Sequence, residues 1–146
     1  MYQRILISTD GSEVAQKGVD HGLSLAKSVG AKVTIVTVTE RFPIYAGPDW
    51  IPGPTDLADY DARQKEAATK ILADVLAAAG RLGVDAETVH VPEAQPAEAI
   101  IATANKKHCD LIVMASHGRR GLGRLLLGSQ TSEVLVGSPV PVLVVR

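Results

Sequence analysis

Short runs of apolar residues alternate with segments of helical period along the whole of this chain, and few folds accept that alternation. Five runs read as strands: Arg4 to Ser8, Lys32 to Val38, Ala86 to Val91, Asp110 to Ala115 and Val140 to Val145. The first and fourth contain Ile5-Leu6-Ile7 and Leu111-Ile112-Val113-Met114-Ala115, which are nearly continuous in apolar residues. A strand with one wet face alternates; a strand covered on both faces has no reason to, and parallel sheets wrapped by helices supply that environment. The intervening segments carry apolar stripes at helical spacing. Val14, Ala15, Val19, Leu23 and Ala26 share one face, with Gly30 placed to end the helix. Ala68, Ile71, Leu72, Val75, Leu76 and Ala79 mark a second helix that ends near Gly83. Pro96 suits a first helical turn and is followed by Ala97, Ile100, Ile101 and Ala104 as a third buried stripe. Beyond Gly128, Val134 and Leu135 suggest a fourth helix, stopped before Pro139.

Strands alternating with helices form βαβ units, so the expected architecture is α/β: a single-domain, doubly wound (Rossmann-like) parallel sheet. Ligands of such sheets sit beyond the carboxyl ends of the strands, where the winding reverses. If the first and fourth strands flank that reversal, Ser8-Thr9-Asp10 and Met114 to Gly118 face one crevice. The chain's 146 residues, 46% apolar, suffice for one buried core. A net charge of −1 with both signs dispersed argues against nucleic acid or an anionic membrane as partner. The single Cys109 excludes an internal disulfide and a cysteine-rich zinc site, and His21, His90 and His108 have no metal-ligand spacing. No apolar run approaches the roughly 18 residues of a membrane span, so a soluble, cytoplasmic protein is expected.

Thr39 to Tyr60 reads as one long irregular segment, holding four of the eight prolines and the aromatics Phe42, Tyr45, Trp50 and Tyr60. It is either a loop folded over its own helix, or a lid on the crevice or a surface for a partner.

Chemistry concentrates between Met114 and Thr131. Glycine next to a strand end lets backbone approach a ligand closely, and a following helix offers N–H groups to an anion. Gly123 and Gly128 have the glycine spacing of a P-loop, but Ser129 stands where its lysine belongs. Gly121 and Gly123 begin a dinucleotide fingerprint that Leu126 breaks. His117 lacks the G-x-S-x-G elbow of a hydrolase, and no residue is assigned to catalysis or to a metal.

What the stretch does resemble is the signature of the universal stress protein family, whose nucleotide-binding members carry G-x2-G-x9-G-[S/T] after the fourth strand. Here the pattern is Ala115-x2-Gly118-x9-Gly128-Ser129, with the spacing kept and alanine in place of the first glycine. I-L-I-S-T-D-G-S near the start and S-P-V-P-V-L-V-V at the end extend the resemblance over the whole chain. It implies a five-stranded sheet of order 3-2-1-4-5 with helices on both faces. It also implies that Asp10, with Ser8 and Thr9, meets the adenine end of a nucleotide and that Val38 offers its backbone to the adenine edge. Met114 and Ala115 would lie beside the ribose, and Gly118, Arg119, Gly128, Ser129, Gln130 and Thr131 around the phosphates. The ligand would be ATP or a related adenine nucleotide, with any Mg²⁺ arriving on it. The protein would be a stress-response sensor or regulator, at most a slow ATPase, and a homodimer through the C-terminal strand 140–145.

Read from the residues alone, these positions have plainer roles. Asp10 can cap a helix or make an Asx turn, Ser129 can be an N-cap, and Met114 can be core. Arg119, Arg120 and Arg124 can be a solvated face. If the first motif glycine is needed for positive φ, Ala115 costs about 1–2 kcal/mol; if only for close approach, a small shift absorbs the methyl. The alternative function is a nucleotide-free interaction scaffold.

Overall fold

The computed structural model describes residues 1–42, 51–118 and 126–146. Strand and helix alternate throughout these segments: β1 (Arg4–Ser8), α1 (Glu13–Val29), β2 (Lys32–Val38), α2 (Pro54–Leu82), β3 (Ala86–Val91), α3 (Pro96–Lys106), β4 (Leu111–Ala115), α4 (Ser129–Gly137) and β5 (Val142–Val145). The sheet has five strands in the order β3-β2-β1-β4-β5, every neighbouring pair parallel. The doubly wound architecture expected of the chain is therefore the one it adopts.

The period-2 alternation of each strand divides the core in two. Ile5 and Ile7 of β1, Val33 and Ile35 of β2, and Leu111 and Val113 of β4 meet α1 and α2 through Val19, Leu23, Ala26, Leu72, Val75 and Ala79. On the other face Leu6, Val36, Ile112 and Met114 meet α3 and α4 through Ala97, Ile100, Ala104 and Val134. Small residues let α1 lie close: a Cβ on Gly22 would fall 2.7 Å from the Ile7 side chain.

Four expectations need correction. The irregular segment does not reach Tyr60, because α2 begins at Pro54. Proline's fixed φ suits the first helical position, and the Asp56 carboxylate accepts from the Gly53 N–H at 3.0 Å, reinforcing the start. Asp110 stands just before β4; its carboxylate accepts from the N–H groups of Gln3 (2.9 Å) and Arg4 (3.1 Å) and so ties the start of β4 to that of β1. β5 starts at Val142 because Pro141 has no N–H for the ladder, although its carbonyl accepts from Ile112 N–H at 3.0 Å. Finally Val14, Leu76 and Leu135 are exposed at the margins of their helices' buried stripes.

β1 lies between β2, reached through α1, and β4, reached through α3, so the winding reverses beside it. The carboxyl ends of β1, β2 and β4 open there onto a common space.

Candidate functional site

Two turns shape the carboxyl edge. After β1 the chain passes through Gly11 at φ +79°, a left-handed conformation that favours glycine. The Asp10 carboxylate accepts from Ser12 N–H at 2.9 Å, an Asx turn, while Ser12 Oγ caps α1 by accepting from Ala15 N–H at 3.2 Å. Asp10 thus makes the turn and Ser12 is the cap. Thr9 is held by its N–H on the Val36 carbonyl (3.0 Å) and by its own carbonyl, which accepts from Thr37 Oγ1 (2.6 Å).

After β4 the chain turns through Ser116, His117 and Gly118 and returns at Gly128, whose N–H donates to the Ser116 carbonyl at 2.8 Å. Gly128 has ordinary dihedrals (φ −59°, ψ 152°), so conformational freedom is not what it supplies. It supplies closeness: a Cβ there would sit 3.2 Å from the Ser116 carbonyl oxygen and 3.4 Å from the His117 Cα. The start of α4 is thereby pressed against the end of β4. Thr131, buried, donates from Oγ1 to the Ala115 carbonyl at 3.0 Å and fixes the same junction. α4 starts with no side-chain cap and no acidic residue in its first turn. By contrast, Ser12 caps α1, and at α3 Gln95 accepts from Glu98 N–H while Gln130 accepts from Ala97 N–H.

Between these turns lies a cavity of about 510 Å³. Ser8, Thr9, Asp10, Val38, Met114, Ala115, Gly118, Gly128, Ser129, Gln130 and Thr131 all line it. Of the candidate nucleotide-binding residues, Arg119 alone lies outside the described residues; Tyr45, Trp50, Arg120, Gly121, Gly123 and Arg124, also named from the sequence, lie outside them too. Gly118 faces Asp10 so closely that a Cβ would come within 2.8 Å of the Asp10 carboxylate. Gln130 is committed through Oε1 to α3, so its side chain serves the wall of the cavity.

Ala115 pairs with Val145 in the β4–β5 ladder, and its φ is not positive. The strain that an alanine would carry in a left-handed glycine position is absent. Alternation puts its methyl on the face of Leu111 and Val113, the face covered by α1. There α1 presents Gly18, where a Cβ would lie 3.0 Å from the Ala115 nitrogen.

His117 lines the cavity, with Nδ1 3.1 Å from Ser116 Oγ. Its Nε2 is the buried side-chain polar atom without a hydrogen-bond partner among the described residues. Ser116 is buried and does not line the cavity, so the pair is not a nucleophile and base addressing a ligand. No cluster of metal-ligating side chains is found among the described residues, and no described helix is long and apolar enough to cross a membrane.

The sequence points to one further wall only through Tyr60, in the segment read as a loop over its own helix or a lid on the crevice, and assigns none of its residues to the site. Tyr60, Gln64, Ala67, Ala68 and Ile71 of α2 line the cavity, joined by Thr37, Thr39 and Glu40 from the end of β2 and Pro96 and Ile100 from α3. The signal was the helical spacing itself, carried back from Ala68 through Gln64 to Tyr60. Tyr60 anchors this wall. Its hydroxyl donates to the Glu40 carbonyl (3.2 Å), and its ring meets Phe42 edge-on at 5.0 Å between centroids.

Comparison with known proteins agrees with this architecture. A family model described as "Universal stress protein family" matches residues 1–146. The chain is 36% identical over 146 residues to universal stress protein MJ0531 of Methanocaldococcus jannaschii, covering 100% of this chain and 83% of that protein. Among solved structures, hypothetical protein MJ0577 superposes with a TM-score of 0.82 at 28% identity, covering 99% of this chain and 96% of that one. A universal stress protein solved in complex with cAMP superposes at 0.70 with 26% identity, covering 99% and 97% of the two chains.

Proposed function

For this chain, which belongs to the universal stress protein family, we propose adenine-nucleotide binding in the cavity at the carboxyl edge of the sheet, with occupancy as the signal. The observation that carries the reading is the junction of β4 and α4. Gly128 brings a helix start without a side-chain cap to the rim of a 510 Å³ cavity, beside a buried imidazole nitrogen that has no partner among the described residues. Backbone N–H groups and the positive end of a helix dipole hold phosphate without a lysine. The Ser129 hydroxyl adds a side-chain donor at the same end, as does His117 Nε2 in the tautomer whose Nδ1 accepts from Ser116 Oγ. At the other end, the Val38 backbone and the polar groups of Ser8, Thr9 and Asp10 surround the base and ribose. The neighbour solved with cAMP supports an adenine ligand for this fold. ATP is the proposed occupant, with Mg²⁺ carried on its phosphates, since the described residues offer no metal cluster of their own.

Binding is the proposed output: among the described residues of the cavity, no nucleophile, base and orienting acid come together. The protein would act as a homodimer. β5 ends the sheet order and has partly exposed residues throughout, so its outer edge is open to the same strand of a second copy.

The test is calorimetric titration of nucleotide-free protein with Mg-ATP, AMP and cAMP, alongside sedimentation of the native chain and Val144→Lys. Micromolar binding of at least one nucleotide is expected, with a dimer that the charged edge dissociates. Absence of binding by any of the three would leave the interaction scaffold as the function.

A further inference from the structure

We infer that Gln64 is the residue that selects adenine over other purines, a role that rests on the nucleotide-binding reading above. Tyr60 Oη lies 3.2 Å from the Glu40 carbonyl oxygen and 3.5 Å from that of Arg41. Carbonyls only accept, so the single hydroxyl hydrogen points to them. The Tyr60 oxygen is therefore left as an acceptor, and Gln64 Nε2, 2.8 Å away, donates to it. Reversing the amide would set Gln64 Oε1 against an oxygen with no hydrogen to give. The backbone after β2 thus dictates, through Tyr60, which way round the Gln64 amide stands.

Gln64 lines the cavity, and among the described residues its side-chain hydrogen bond is the one from Nε2 to Tyr60, which leaves Oε1 to accept from a ligand. It stands on the wall that Tyr60 ties to Glu40, close to Val38, where the base is proposed to lie. A carboxamide oxygen of fixed direction accepts from an exocyclic amine. Adenine carries an amine at position 6, whereas hypoxanthine and guanine carry an oxygen there. Opposing Oε1 to that oxygen leaves two acceptors face to face, and the locked amide cannot turn to relieve them.

The experiment compares Mg-ATP with Mg-ITP, which differ at position 6 of the base, on the native chain, Gln64→Leu and Tyr60→Phe. The native chain is expected to prefer ATP by about tenfold, the scale of one hydrogen bond gained against one mismatched. Gln64→Leu should bring the two nucleotides within about threefold by weakening ATP. Tyr60→Phe keeps the ring on Phe42 but frees the amide to rotate, so it should narrow the preference by strengthening ITP. Thermal melts of both variants report whether the wall still folds; a merely structural role would weaken both nucleotides equally. Equal affinity of the native chain for ATP and ITP, or a preference unchanged in Gln64→Leu, overturns the assignment to Gln64 and leaves nucleotide binding standing. Failure of the native chain to bind either nucleotide overturns both.

Discussion

Replacing Ala115 by glycine restores the family's motif, and the structure gives the sign of the effect on stability. Were Ala115 strained in a left-handed conformation, glycine would relieve about 1–2 kcal/mol and stabilise the protein. Ala115 instead occupies the last ladder position of β4, with ordinary φ and only 6% of its surface exposed. Glycine then removes a buried methyl, worth about 0.8 kcal/mol. It also loosens a strand interior, which costs about 0.5–1 kcal/mol. Ala115→Gly should therefore destabilise by about 1.5 kcal/mol, read as a lower urea midpoint with unchanged slope. Because the methyl lies on the α1 face, the affinity for Mg-ATP should move by less than about threefold. Stabilisation in urea would refute the backbone argument. A gain in affinity of tenfold or more would show that the methyl stands in the ligand's way.

Gly128→Ala sets a methyl 3.2 Å from a backbone carbonyl that cannot swing aside. It should cost about 1–3 kcal/mol and, by lifting the start of α4, weaken Mg-ATP binding by at least about tenfold in the same titration. His90, on β3 and bonded to Thr39 Oγ1, has its pKa lowered by burial first and by the Lys65 charge second. Its contribution to stability is therefore fully present above the unfolded value of 6.5 and is lost as pH falls through the lower folded value. The melting temperature should drop between pH 7 and 5, and His90→Gln should flatten that drop. Burial pushes the Cys109 thiol up, so a thiol reagent at neutral pH should label it slowly in the native protein and at once in denaturant.

The sheet was legible because both its faces are buried: Ile5-Leu6-Ile7 and Leu111 to Ala115 can be nothing else in a chain this long. The strand order was not legible from periodicity, which says what is covered but not by which neighbour; it came from the family resemblance. Boundaries failed where one atom decides them, as at Pro141, which lacks an N–H, and Asp110, whose carboxylate takes two backbone donors outside the ladder. The first half of α2 was hidden for another reason. Its inward residues, Tyr60 and Gln64, are polar and half-buried, so hydrophobic period is silent there, and the prolines at 52 and 54 read as loop when Pro54 in fact starts the helix. The cavity's β4–α4 side was readable because close approach demands glycine, whereas its α2 side is built from residues that any exposed helix could carry.

That half-helix has a consequence for how occupancy becomes visible. The buried residues of α2, Ala68, Leu72, Val75 and Ala79, all belong to its second half. The stretch from Pro54 to Ala67 therefore overhangs the sheet by roughly 20 Å at helical rise. It is moored there by Tyr60 and Phe42, not by the core. Such a cantilever can fray and re-form without disturbing the hydrophobic layers, so its amides should exchange with solvent by local opening while those around Leu72 wait for global unfolding. A molecule bridging the sheet edge and Gln64 would slow exchange along the overhang first. If the cavity fills as proposed, the outer surface of that helix is where a second protein would tell a filled cavity from a vacant one.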